Sequence, residues 1–151
     1  MRRKALLFGN TAGLPGVNVD LDRFSAFLKS PVGGAWFGSE IDILTNMSKS
    51  DLLQYIQKLQ ANPVDYFILL FSGHGGQARE TILEINGKGE TIAETSLRKL
   101  GTRQLNIYDC CRVHLQELTE STKFLRSEAM NVANLNARRK YESRIQQAIP
   151  Q

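Results

Sequence analysis

Short apolar runs alternate with amphipathic segments along the first 112 residues. The apolar runs predict buried strands over residues 5–9, 40–45, 66–72 and 105–109. Apolar residues spaced three and four apart predict helices over residues 20–29, from Ser48 or Ser50 through residue 61, and over residues 95–100. Parallel strands joined by helices need right-handed crossovers. The pattern therefore predicts an α/β fold with a mostly parallel sheet flanked by helices.

The two longer helices have predicted apolar faces, and a hairpin is expected before the fourth strand. The faces consist of Leu21, Phe24, Phe27 and Leu28 in the first helix, and of Leu52, Leu53, Ile56 and Leu59 in the second. Residues 81–92 contain Asn86-Gly87 between two apolar runs, a pattern typical of a β-hairpin. We expect this hairpin near the carboxyl edge of the sheet.

Two reactive residues stand where predicted strands end. His74 follows the third apolar run and Cys111 follows the fourth. Parallel strands present their carboxyl ends along one edge of a sheet, and ligands of open α/β folds bind there. A histidine and a cysteine at that edge are a candidate base and nucleophile. The alternatives are a hydrogen-bonded histidine without a catalytic role and a buried cysteine that acts as a small apolar residue.

The residues around this pair favour the catalytic interpretation. Gly73, Gly75 and Gly76 surround the histidine without side-chain bulk, as is needed where a substrate backbone comes close. Asp109 precedes Cys111 by two residues, so on a strand it points to the same side.

At these residues the chain resembles the caspase-like cysteine peptidases. Ser72-Gly73-His74-Gly75 resembles the family's histidine motif. Asp109-Cys110-Cys111-Arg112 resembles its cysteine motif, which reads Gln-Ala-Cys-Arg in animal caspases and Asp-x-Cys in metacaspases and paracaspases. Residues 4–10 resemble the family's first strand, and residues 14–20 resemble the segment that enters its first helix. The resemblance implies a three-layer caspase-like fold, closer to the metacaspase and paracaspase type.

The resemblance also implies a mechanism. Cys111 is the third residue of Asp-x-Cys and would attack the scissile carbonyl, while His74 orders the thiol and protonates the leaving amine. The backbone N–H groups of Cys111 and Gly75 would bind the oxyanion. Ser72 either orients His74 or simply ends its strand. No cofactor is implied, and the acidic residues form no recognisable calcium loop, so no metal is predicted.

Cys110 needs a separate interpretation because adjacent strand residues face opposite sides. Only one of the two cysteines can face the histidine, so Cys110 is predicted to be a core residue. A vicinal disulfide or a redox pair is the alternative, and it is disfavoured because adjacent cysteines bridge only with strained geometry.

Two carboxylates bear on substrate preference. In animal caspases, which cut after aspartate, an arginine occupies the position of Leu14, so the resemblance implies that an acid-binding arginine is absent. Asp20 falls where metacaspases and paracaspases have a pocket aspartate, and Asp109 replaces the animal glutamine. A buried acidic pair would hold a substrate Arg or Lys side chain through charge-assisted hydrogen bonds. The alternatives are a helix N-cap for Asp20, with Arg23 nearby, and an ion pair with Arg112 for Asp109.

The predicted function is therefore that of a cysteine endopeptidase that cuts after Arg or Lys. The alternatives are a caspase-like peptidase that cuts after acidic residues and a non-catalytic caspase-like scaffold. A thiol-based redox or phosphatase domain also stays open, but Arg112-Val113-His114-Leu115 lacks the glycines of the phosphate-binding loop that a cysteine phosphatase needs.

The catalytic core is predicted over residues 1–112, and residues 113–151 are predicted to be a basic, mainly helical linker or subunit junction. Residues 123–144 contain six Lys or Arg and two Glu, whereas the rest of the chain has 13 basic and 13 acidic residues, so the net charge of +4 arises there. No nucleic-acid-binding motif accompanies this charge, and a solvated helix face is the plain alternative. The resemblance implies a linker that the enzyme cuts itself. It also implies that the last sheet strands come from a small subunit or from a C-terminal remainder of the polypeptide.

Composition narrows the setting. A chain of 151 residues can bury one core, and two adjacent cysteines argue against a disulfide-built secreted protein. The apolar stretch at residues 5–8 is too short for a signal peptide or a membrane span. We therefore expect a cytoplasmic enzyme with a protein substrate, the small subunit, and a regulatory protein as partners, and with neither nucleic acid nor membrane.

Overall fold

The computed structural model describes residues 1–110 and the backbone of residues 113 and 114, which form a two-residue strand. The chain divides into two units, Met1–Arg112 and Val113–Gln151. Apart from that strand, the predicted helical linker at residues 113–151 lies outside the described residues. The elements of the first unit are β1 (Arg3–Gly9), α1 (Gly16–Lys29), β2 (Ile41–Thr45), α2 (Lys49–Ala61), β3 (Val64–Gly73), β4 (Gly75–Gln77), β5 (Thr81–Glu84), β6 (Thr91–Ala93) and β7 (Gly101–Cys110), with 3-10 turns at Gly38–Glu40 and Glu94–Leu97.

The central sheet is parallel and has the strand order β2-β1-β3-β7. Its register aligns the carboxyl ends, since Ser72 pairs with Gly9 on one side and with Asp109 on the other. Within the described part of the chain, β7 is an edge strand. The predicted α/β fold with a mostly parallel sheet is confirmed.

Two apolar cores, one on each face of the sheet, explain the continuous apolar runs of β1 and β3. Successive residues of a strand point to opposite faces, so a strand covered on both sides is apolar throughout. The core that includes α1 contains Ala5, Leu7, Val17, Leu21, Leu28, Trp36, Ile41, Ile68 and Leu70. The core that includes α2 contains Leu6, Phe8, Leu52, Ile56, Phe67, Leu69, Phe71, Leu83, Ile85, Ile92, Leu97 and Leu100.

Helix α1 begins about one turn before the predicted helix. Its N-cap is Pro15, which makes no side-chain capping bond, and Asp20 lies inside the helix. The N-cap alternative for Asp20 is therefore wrong. Leu21 and Leu28 are buried as predicted, but Phe27 is 47% exposed, because α1 turns this position away from the core and toward an open groove.

Helix α2 agrees more closely with its sequence pattern. Ser48 is the N-cap, and its hydroxyl accepts a hydrogen bond from the N–H of Asp51 at 3.1 Å. This hydrogen bond shows that Ser48, and not Ser50, is the N-cap. Leu52 and Ile56 are buried, whereas Leu53 was predicted to face inward and lies 37% exposed.

A small antiparallel sheet follows β3, in which β5 pairs with both β4 and β6. The predicted hairpin is thus confirmed, but its turn is wider than Asn86-Gly87, since the N–H of Ile85 bonds the carbonyl of Glu90 at 2.9 Å. Strand β4 was not predicted, because Gly-Gly-Gln has little intrinsic strand preference and its form results from pairing with β5. The helix predicted over residues 95–100 is only the 3-10 turn Glu94–Leu97.

Candidate active site

Packing fixes the backbone that leads into His74. The N–H of Asn10, directly after β1, donates to the carbonyl of Ser72 at 3.1 Å. A Cβ added to Gly73 would lie 2.9 Å from Cζ of Phe71 and 3.4 Å from Cβ of Asn10, and so would crowd both residues. Only glycine fits between these neighbours without displacing them.

His74 lies at the carboxyl edge of the central sheet, between β3 and β4. It is half-buried, and its backbone carbonyl accepts a hydrogen bond from the N–H of Glu84 on β5 at 2.9 Å. The last paired residues of β3 and β7 are Gly73 and Cys110. His74 therefore directly follows the end of the ladder between these two strands.

Cys110 packs against the core that includes α2. A Cβ added to Gly75 would lie 2.7 Å from Sγ of Cys110, so Gly75 lies directly against this cysteine. The arrangement agrees with the interpretation of Cys110 as a core residue on the face opposite Asp109. Cys111 and Arg112 lie outside the described residues, and so do the predicted oxyanion donor of Cys111, the vicinal cysteine pair and the Asp109–Arg112 ion pair.

Ser72 connects the end of β3 to Asp20 on α1. Its hydroxyl oxygen is 3.3 Å from Oδ2 of Asp20, to which it donates a hydrogen bond. A serine hydroxyl has one proton to donate, and Ser72 donates it to Asp20. Ser72 is only 3% exposed, which makes it a fixed support beneath an exposed carboxylate.

An open groove of about 560 Å³ lies between α1 and the strands β3 and β7. Its lining residues are Asp20, Arg23, Phe24 and Phe27 of α1, Leu70 of β3, and Ile107, Tyr108 and Asp109 of β7. The structure thus brings together the two carboxylates that were predicted to share a pocket. The groove opens to solvent, and both carboxylates are exposed. The expectation of a buried acidic pair is therefore wrong.

Sequence reasoning missed part of this groove. Arg23, Phe24 and Phe27 follow Asp20 by three, four and seven positions, a spacing that places all four on one side of a helix. The two phenylalanines are predicted to belong to the core, and Phe24 does pack against the core that includes α1, whereas the sequence indicates Arg23 only as a neighbour of Asp20. The helical spacing measured from Asp20 is the signal that could have identified them.

A row of polar side chains ties the edge strand β7 to the preceding loop. Nε2 of Gln104 donates to Oδ1 of Asn106 at 2.7 Å, and Nδ2 of Asn106 donates to the hydroxyl of Tyr108 at 3.0 Å. Oε1 of Gln104 accepts from the N–H of Leu100 at 2.9 Å. Burial raises the pKa of the Tyr108 hydroxyl. These hydrogen bonds stabilise the position of β7, the strand that ends at Cys110.

The described residues contain neither a membrane-spanning helix nor a metal-binding cluster. No helix in them is long and apolar enough to cross a membrane. No group of three or more His, Cys, Asp or Glu side chains in this part of the chain is arranged to hold a metal ion.

Nearly the whole sequence matches a known protein family. Residues 2–150 match the family model of the caspase domain, a domain of cysteine peptidases. No curated protein matches the chain significantly. The family match agrees with the parallel sheet flanked by helices, and the chain belongs to the caspase-domain family of cysteine peptidases.

Proposed function

We propose that this protein is a cysteine endopeptidase of the metacaspase or paracaspase type that cuts peptides after Arg or Lys. The observation that carries the proposal is the groove that Asp20 and Asp109 line together, beside the strand ends that precede His74 and Cys111. Two carboxylates in one groove attract a cationic side chain and repel an anionic one.

The register of β3 and β7 supports a Cys111–His74 dyad. Gly73 pairs with Cys110, and His74 and Cys111 are the next residues of the two segments. Cys110 is already packed against the core, which favours Cys111 as the nucleophile. Asp109 faces the groove, and a strand continued by one residue would give Cys111 the same side.

The proposed reaction is acyl transfer through a thioester. The Cys111 thiol passes its proton to His74 and its sulfur attacks the scissile carbonyl carbon, while the N–H groups of Cys111 and Gly75 stabilise the resulting oxyanion. His74 gives this proton to the leaving amine as the C–N bond breaks. In the second half, His74 takes a proton from the water that attacks the thioester, the C–S bond breaks to release the acid, and His74 returns the proton to the sulfur.

A second candidate specificity, for acidic residues, has one observation in its favour. Arg23 lines the same groove as the two carboxylates, so a guanidinium is present although Leu14 stands where animal caspases have their arginine. The groove nevertheless has two carboxylates and one guanidinium. This balance favours a basic substrate side chain.

Covalent labelling tests the proposed function directly. With the downstream segment added if activity needs it, an arginyl chloromethyl ketone is expected to modify the protein at one cysteine, Cys111, and an aspartyl analogue is expected to react much more slowly. His74→Ala should slow the labelling by about a hundredfold or more, since a positioned acid or base contributes about 10²- to 10⁴-fold. Mass spectrometry of the labelled peptide identifies the modified cysteine and measures the rate of labelling. A scaffold would show no labelling, and a redox thiol would react equally with a simple alkylating agent.

Ser72→Ala is expected to raise KM for an Arg peptide about fivefold while kcat changes little. The variant removes the hydroxyl that orients Asp20, and a hydrogen bond to an exposed carboxylate is worth about 1 kcal/mol. Steady-state kinetics measures the split between KM and kcat. A fall in kcat with a shifted pH profile would instead indicate that Ser72 acts through His74.

The proposal includes a partner that completes the sheet. β7 is the edge strand of the described residues, and an unpaired edge invites association. Residues 1–151 alone are therefore expected to be inactive or to self-associate, and addition of a small subunit or downstream segment is expected to restore turnover. Light scattering and activity assays test this; a monomeric and fully active 1–151 would contradict it. The basic segment at residues 123–144 would be the site of autoprocessing.

A further inference from the structure

We propose that Asn86, in the turn between β5 and β6, is a positioning residue for His74 and Gly75. The inference rests on the proposed function and deepens it, because these two residues supply the proposed general acid and one proposed oxyanion donor. The Asn86 side chain connects the hairpin turn to the start of α2, and strand β5 of the same hairpin holds the backbone of both site residues.

The Asn86 side chain uses its full hydrogen-bonding capacity. Its Nδ2 donates to the carbonyl of Met47 at 2.9 Å and to Oε1 of Glu90 at 3.0 Å. Its Oδ1 accepts from the N–H of Lys88 at 3.0 Å and from the N–H of Glu90 at 3.4 Å. An asparagine amide has two protons to donate and two lone pairs that accept, and Asn86 is only 5% exposed. These bonds fix the conformation of the turn.

Two of the acceptors connect the turn to the start of α2. Met47 directly precedes Ser48, the N-cap of this helix, and packs against the core that includes α2. Oε1 of Glu90 also accepts from the N–H of Lys49, the first residue of the helix, at 3.4 Å. A carboxylate is favourable at a helix N-terminus, where backbone N–H groups have no partner within the helix. The hairpin turn is therefore attached to a helix that belongs to the core.

Strand β5 connects this turn to the candidate active site. Glu84, its last residue, lies two positions before Asn86, and its N–H donates to the carbonyl of His74 at 2.9 Å. Leu83 pairs with Gly75 in the antiparallel ladder between β5 and β4. Because β5 has only four residues, displacement of its turn also displaces these contacts.

Asn86→Asp tests the inference because it keeps the shape of the side chain and removes both donated protons. The new carboxylate faces the Glu90 carboxylate and the Met47 carbonyl without a proton between them, and like charges repel. We expect kcat on an Arg peptide to fall about tenfold, since a small misplacement of catalytic groups costs up to about a hundredfold. KM should change by less than about twofold, because the groove is formed by α1, β3 and β7. Hydrogen exchange of the Glu84 N–H should become faster.

Glu90→Gln supplies the missing proton from the other side of the pair. In the double variant Asn86→Asp/Glu90→Gln, the glutamine amide donates to the aspartate, so kcat should return to within about threefold of the wild type and the Glu84 exchange should slow again. Glu90→Gln alone keeps an amide oxygen that accepts from Asn86, so it should lower kcat by less than about threefold. A general loss of stability would not be reversed by this second change.

Asn46→Asp is the matched control. Asn46 lines a pocket of about 190 Å³ together with Asn86 and Glu90, so the variant makes the same chemical change nearby. Its carboxylate can still bond the Thr11 hydroxyl, which turns its own proton toward it. The kcat and the Glu84 exchange should therefore equal those of the wild type. Asn86→Ser removes the amide without adding a charge and should lower kcat in the same direction as Asn86→Asp.

All variants are measured in the preparation that is active on Arg peptides, with the downstream segment added if activity needs it, and below the unfolding temperature of each. Unchanged kcat and unchanged Glu84 exchange in Asn86→Asp and Asn86→Ser overturn the inference alone. A loss in Asn86→Asp that Glu90→Gln does not reverse also overturns it. A wild-type protein that cuts no Arg or Lys peptide overturns the proposed function, and the role of Asn86 in catalysis with it.

Discussion

Cys111→Ala is expected to lower kcat/KM on an Arg peptide by about 10⁴-fold or more, to the detection limit. Removal of the nucleophile leaves no route to the thioester, and only the binding groove and the oxyanion donors remain. The variant should stay folded, because a cysteine-to-alanine change removes a single sulfur atom. Steady-state kinetics and thermal unfolding of the same preparation measure the two effects separately.

Cys110→Ala is the matched control for this variant. Its sulfur packs against the core that includes α2 and lies against Gly75, so we expect a loss of stability of about 1 kcal/mol. Activity should remain within about threefold of the wild type, since the thiol faces away from Asp109. Equal loss of activity in two folded variants would show that the assignment of the nucleophile to Cys111 is wrong.

The central sheet could be predicted because its strands carry their own signal. Both faces of β1 and β3 are packed against a core, so their sequences are continuous apolar runs. Each run ends where the strand leaves these cores. The end of each apolar run marks the carboxyl edge of the sheet, so the position of His74 at this edge could be predicted from the sequence alone. β7 extends beyond its predicted bounds because Gly101, Arg103 and Gln104 also pair with β3, and these residues are too polar for an apolar pattern to record.

Features that depend on tertiary packing could not be predicted in the same way. The start of α1 has no Ser, Thr, Asp or Asn cap, and Asp20 resembled one. Phe27 fits the periodicity of a core residue, but α1 turns Leu28 into the core and Phe27 away from it, so Phe27 lines the groove. The helical pattern shows which residues share a face of the helix. It does not show whether that face contacts the core or a groove.

The exposure of the acidic pair changes the expected strength of the specificity. A buried pair would discriminate against an anion by several kcal/mol, but Asp20 and Asp109 are both exposed before substrate binds. Each exposed charge contact contributes about 1 kcal/mol or less. The exchange of a cation for an anion turns two attractions into two repulsions, so it costs about 2–3 kcal/mol.

We therefore expect cleavage after Arg or Lys to exceed cleavage after Asp by about a hundredfold in kcat/KM, since each 1.4 kcal/mol is tenfold. A peptide library varied at the residue before the cut measures this preference. Asp109→Asn and Asp20→Asn should each lower kcat/KM for Arg peptides by about fivefold to tenfold and narrow the gap to Asp peptides. An asparagine at position 20 still accepts the hydrogen bond from Ser72, so this variant isolates the charge.

Two further variants control for effects outside the groove. Asp22→Asn removes an exposed carboxylate from α1 that does not line the groove, and Leu14→Ala removes a side chain that packs against the core that includes α1. Neither should change the ratio of Arg to Asp cleavage, although Leu14→Ala should lower stability by about 1–2 kcal/mol. If the library instead shows a preference for Asp, the two carboxylates do not select the substrate. Arg23 then becomes the groove residue that binds an acidic side chain, because it is the one cationic group that lines the groove in the described part of the chain.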